Sequence, residues 1–74
     1  MQTLSFNKEI YPHQTIQQAI LDFQPLADIT CTEINDKYIC IFTRSSYPME
    51  QTMNEFSNYV LALAVHMQRG HHVD

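Results

Sequence analysis

The chain reads as an α+β domain of order β-α-β-β-α, a three-stranded and mainly antiparallel sheet with both helices on one face. Three observations predict this. Apolar residues recur at helical spacing in two stretches, beginning near Pro12 and near Pro48; three other stretches are rich in β-branched and aromatic residues; and Pro, Asn and Asp stand at the junctions. The 74 residues make a single domain, 1–74, in which 70–74 read as a frayed tail.

The first strand spans Thr3 to Asn7, where Leu4 and Phe6 alternate with Thr3, Ser5 and Asn7. Tyr11-Pro12 ends it, because a residue before proline is pushed out of the α region and the proline itself suits the first turn of a helix. The helix that follows buries Ile16, Ala19, Ile20 and Phe23, spaced i, i+3, i+4 and i+7, and solvates Gln14, Gln17, Gln18 and Asp22. Pro25 stops it.

Ala27 to Ile34 and Lys37 to Arg44 form a hairpin about Asn35-Asp36, two residue types that tolerate the positive φ of a tight turn. The usual glycine is missing, so a longer loop is the alternative; a two-residue turn sets the register. Ile34 then faces Lys37, Cys31 faces Cys40 and Ile29 faces Phe42, so Ile29, Cys31, Tyr38, Cys40 and Phe42 share the core face. Thr30, Thr32, Ile34, Ile39 and Ile41 share the other face. That face is too apolar for plain solvation and is a candidate contact surface.

The long helix runs from Pro48 to Arg69, with Ser46 or Tyr47 near its N-cap and Gly70 as its terminator. Met49, Met53, Phe56, Val60, Leu63 and Met67 recur at steps of four and three and form the stripe that covers the sheet. Met is adaptable, so a peptide groove is the alternative use of this stripe. From Tyr59 to Val65 the helix is apolar on nearly every side. Leu61 and Val65 are left over from the stripe, and they are where a partner is expected to touch.

Composition narrows the function. With eight acidic residues against Lys8, Lys37, Arg44 and Arg69, the net charge is -4, which leaves no basic patch for phosphates. A nucleic acid is not an expected partner. No apolar run approaches the roughly 20 residues that span a bilayer, and Met1-Gln2-Thr3-Leu4 lacks the regions of a signal peptide. The expected setting is cytoplasmic, away from membranes. A chain this small gains stability from assembly, so a protein partner or a homodimer is expected.

Side chains with chemical potential are few. Cys31 and Cys40 face each other where antiparallel side chains approach most closely, so a cross-strand disulfide is one reading. A reducing compartment and the apolar character of a free thiol favour a buried thiol pair instead. The spacing is not that of a CxxC motif, and a metal would need two further ligands. His71 and His72 follow the helix-ending glycine and read as tail residues rather than ligands. His66 lies beside the apolar stripe and suits a polar interface position, whereas His13 sits in a first helical turn. The single glycine, Gly70, nearly removes phosphate-loop nucleotide binding. No catalytic, cofactor-binding or metal-binding residue is assigned.

Four segments together carry a likeness. Phe6-Asn7-Lys8-Glu9-Ile10-Tyr11-Pro12, Ile16-Gln17-Gln18-Ala19-Ile20-Leu21-Asp22-Phe23, Tyr38-Ile39-Cys40-Ile41-Phe42 and Glu55-Phe56-Ser57-Asn58-Tyr59-Val60-Leu61 resemble the HxsD-like family. These are small proteins of the His-Xaa-Ser system, associated with radical-SAM peptide maturation. The likeness departs after Leu61, where Ala62-Leu63-Ala64-Val65-His66 replaces a more polar end. It implies a non-catalytic accessory protein with a peptide or a radical-SAM enzyme as partner. A free sheet edge offers a physical means, since an extended peptide can add to it as a strand. The competing readings are a homodimeric structural module that buries Tyr59 to Val65, and, behind both, a thiol enzyme using Cys31 or Cys40. The expected contact residues are Leu61, Val65, Ile39 and Ile41.

Overall fold

The structure, a computed structural model, describes residues 2–70, with side chains through His66. Its elements are β1 (Gln2–Asn7), α1 (His13–Asp22), β2 (Ala27–Ile34), β3 (Lys37–Ser45) and α2 (Met49–Gly70). The strand order is β1-β3-β2, and both outer strands pair antiparallel with β3. Hence β1 and β2 run parallel with β3 between them. Parallel strands need a long crossover, which α1 supplies, and the hairpin then returns β3 into the gap. This is a split β-α-β unit followed by a second helix.

The hairpin has the expected register from Ile34 opposite Lys37 to Ile29 opposite Phe42, with Cys31 opposite Cys40. Its two-residue turn uses a left-handed backbone at Asn35 alone, with φ 55°. Asparagine tolerates that region at little steric cost. Beyond Ile29 the register shifts: Asp28 meets Arg44 and Ala27 meets Ser45, so β3 carries an extra residue at Thr43. This bulge carries the strand one residue past its expected end at Arg44. Thr43 and Arg44 are both exposed, while Ser45 turns back toward the interior.

Residues of both helices and one sheet face join in one core cluster. Phe56 is its centre. Its ring meets those of Phe6, Phe23 and Phe42 at centroid distances of 6.1, 5.2 and 5.3 Å, with interplanar angles of 65°, 90° and 87°. Such edge-to-face contacts align positive ring edges with negative faces. Thus β1, β3, α2 and the residue that caps the end of α1 each contribute a ring to one contact set. Ile16, Ala19, Ala27, Ile29, Tyr38, Cys40 and Val60 complete the buried cluster, with Tyr11, Ile20, Met49, Met53, Leu63, Leu4 and Cys31 partly buried against it. Cys31 is therefore less buried than the pattern suggests.

Three buried residues fall outside the expected stripes: Thr15 on α1, and Thr52 and Ala64 on α2. Thr52 is buried because its hydroxyl pairs with that of Ser45 at 2.5 Å. The Ser45 hydroxyl also accepts the Tyr47 amide at 3.3 Å, so Ser45, not Ser46, organises the entry to α2. Pro48 precedes the first helical residue, and its carbonyl accepts the Thr52 amide at 3.1 Å. Gly70 is the last residue of α2 rather than the start of a tail. The Met67 side chain and residues 71–74, including His71 and His72, lie outside the described residues.

Candidate functional site

The outer face of the sheet is organised by the central strand. Ile39 and Ile41 project from β3, each between two short polar neighbours: Ile41 between Thr3 and Thr30, and Ile39 between Ser5 and Thr32. The four neighbours are exposed and the two isoleucines are half-buried. Flanking side chains this small shield the isoleucines only from the sides. At one end Ile34 adds an exposed apolar group, and at the other Arg44 Nε donates to Asp28 Oδ2 at 3.0 Å. The result is an apolar strip bounded by polar residues, a form typical of contact surfaces.

A second apolar surface lies on α2. Leu61 is 51% and Val65 45% exposed, although Val60 and Ala64, each one position before them, are buried. Successive helical residues are about 100° apart, so Leu61 and Val65 share the flank turned away from the core. Tyr59 is fixed on the opposite flank by α1. Its ring packs on Phe23 with centroids 5.5 Å apart, and its hydroxyl donates to Asp22, which also accepts Gln18 Nε2 at 2.9 Å. The Asp22 bond holds the Tyr59 phenol above its usual pKa. His66 is exposed one position beyond Val65.

The thiols form a different kind of pair. Cys31 and Cys40 meet side by side across the hairpin as free thiols. Burial is the first cause that pushes Cys40 up to about 12, with the neighbouring Cys31 adding to it. Burial also raises Cys31, against a lowering hydrogen bond from Cys40. A nucleophilic cysteine needs the opposite, a depressed pKa and an electropositive, accessible site.

A polar cluster at the hairpin end had no visible sequence signal. Lys8 Nζ donates to Glu33 Oε1 at 2.9 Å, and His13 Nδ1 stands 3.6 Å from Glu33 Oε2. The Tyr38 ring lies beneath both partners, 5.5 Å from Lys8 Nζ and 5.5 Å from the His13 ring. The Lys8–Glu33 bond raises the lysine pKa and lowers the glutamate pKa. The pair spans 25 residues of sequence, so only the fold brings it together. Its groups are exposed and their attraction is screened by solvent.

A cavity of about 180 Å³ opens between the end of α1 and the start of α2, lined by Phe23, Leu26, Tyr47, Gln51, Thr52 and Glu55. Small-molecule sites usually enclose roughly 300–1,000 Å³, so this one suits a single side chain. Among the described residues no three His, Cys, Asp or Glu side chains are grouped to hold a metal ion. No helix among them is long and apolar enough to cross a membrane. No family model, curated protein or solved structure matches the chain.

Proposed function

We propose that this chain is a small accessory binding protein, resembling those that assist radical-SAM maturation of ribosomal peptides, and that it holds a protein or peptide partner without transforming it. One observation carries the reading. A 74-residue domain spends Ile39 and Ile41 on an open sheet face, and Leu61 and Val65 on an open helix flank, where solvent alone would favour polar residues. Burying such groups against a partner is worth about 25 cal/mol per Å² of apolar surface. The partner in this reading is an extended precursor peptide, its radical-SAM enzyme, or both. The setting is cytoplasmic, where thiols such as Cys31 and Cys40 stay reduced.

The test is an amide-shift titration of the labelled chain with a His-Xaa-Ser precursor peptide and, separately, with the radical-SAM enzyme. Shifts confined to β2, β3 and the second half of α2 are expected. Unchanged spectra with both partners would sink the reading.

A further inference from the structure

The open edge of β1 carries a separate argument. The Lys8 amide donates to the Asp36 carbonyl at 2.9 Å, across the β1–β3 ladder. Backbone hydrogen-bonding sides alternate along an antiparallel strand, so Gln2, Leu4 and Phe6 turn their backbone groups to β3. Thr3 and Ser5 then present theirs at the free edge. Natural edges are blunted by charges, Pro, bulges or covering elements. Among the described residues β1 lacks the first three: Gln2–Asn7 contains no charge and no proline, and its pairing with β3 runs without a register shift. The opposite edge is blunted. β2 carries Asp28, Glu33 and the irregularity after Asp28.

We infer that the β1 edge pairs antiparallel with β1 of a second copy of this chain, about a twofold axis through Leu4, to give a continuous six-stranded sheet. The register follows from the alternation. Thr3 faces Ser5 of the second copy and Ser5 faces its Thr3, which makes four backbone hydrogen bonds, while Leu4 meets Leu4 on the inner face. The strand is self-complementary because its edge is neutral and its paired side chains are short hydroxyls, which pair well across strands. In a chain of net charge -4, a charged edge would repel its own copy.

The helix above supports the same occupant. α2 packs on β1 through Phe56 and Phe6, and its Tyr59 flank faces α1. The other flank therefore overhangs the open edge. There Ser57 and Leu61 are outward, uncharged and partly or fully exposed, and the exposed Asn54 and Glu50 continue the same flank toward the start of the helix. A twofold pair sets these flanks against each other, which adds apolar burial to a strand contact too small to hold a dimer by itself. Leu4 is only partly buried in one copy, although it points to the core side, and the second copy would complete its cover.

The inference is independent of the accessory reading, and its test separates them. Light scattering of the full chain is expected to give twice the 8.7 kDa chain mass, falling toward monomer on dilution. Ser5→Pro removes an amide that only the edge pairing uses, so it should halve the observed mass with an unchanged circular dichroism spectrum. The double variant Thr3→Lys with Ser5→Lys places like charges opposite each other and should also halve it. Thr3→Lys with Ser5→Glu places opposite charges together and should keep the dimer. Both double variants alter exposed side chains, so they probe the register even where proline unfolds the strand. A wild-type monomer at all concentrations, or equal dimerisation of the two charge variants, would overturn the inference while leaving a hetero-partner open.

Discussion

Phe56 and Cys40 are both fully buried, and they contribute in different ways. Phe56 touches three other rings from three separate segments, β1, the cap of α1 and β3, so truncation leaves a void that no single segment can close. Phe56→Ala should cost about 3–5 kcal/mol, a large share of the 5–15 kcal/mol typical of a domain; urea denaturation measures it. Cys40 couples burial to pH. Its thiol ionises near 9.0 in the open chain and about 12 when folded. The folded state holds the proton more tightly, so this contribution is complete below pH 9.0 and fades as pH rises toward 12. Cys40→Ala should flatten the fall in stability across that window relative to the wild type, as read by denaturation at several alkaline pH values. Native alkylation of both thiols near neutral pH should be slow, and a fast reaction would revive the thiol-enzyme reading.

At the scale of elements, α2 depends on its first turn as well as its apolar stripe. Ser45 lies after a bulge, and the extra residue at Thr43 restores the parity that aims its hydroxyl at Thr52. Thr52→Val keeps the shape but leaves the Ser45 hydroxyl half-buried without that partner. A loss of about 1–2 kcal/mol is expected, visible as a lower urea midpoint with an unchanged slope. The same helix shows what periodicity can reach. Met49, Met53, Phe56, Val60 and Leu63 face the core as the four-and-three spacing requires. Thr52 and Ala64 were missed because a threonine reads as polar until its hydroxyl has a partner, and an alanine fits either face. Leu61 and Val65 stood out as surplus to the stripe, and they are exposed.

At the scale of the molecule, residues of both helices join the core cluster with one set of strand side chains, while Ile39 and Ile41 of the alternate set stay half-buried. Ile39→Thr and Ile41→Thr together should cost little stability, since both side chains are already half in water. Under the accessory reading they should weaken partner binding at least about tenfold, the effect of losing roughly 1.4 kcal/mol of contact. Isothermal titration of the double variant against the partner checks this. Normal affinity would move the contact to Leu61 and Val65 alone.

The sequence by itself determined the element order, the hairpin register and the identity of the core face, because those follow from side-chain period and from the residues around Pro12, Asn35 and Pro48. It also marked Leu61 and Val65 as surplus. Only the tertiary structure decided the strand order, with β3 returned between β1 and β2, and with it the open β1 edge. It alone joined Lys8 to Glu33 and Tyr59 to Asp22, and set the rings of Phe6, Phe23 and Phe42 about Phe56. Local spacing reports which side of an element is apolar. Which elements meet is settled when distant segments compete to cover those sides, and that competition leaves no trace in any one stretch of chain.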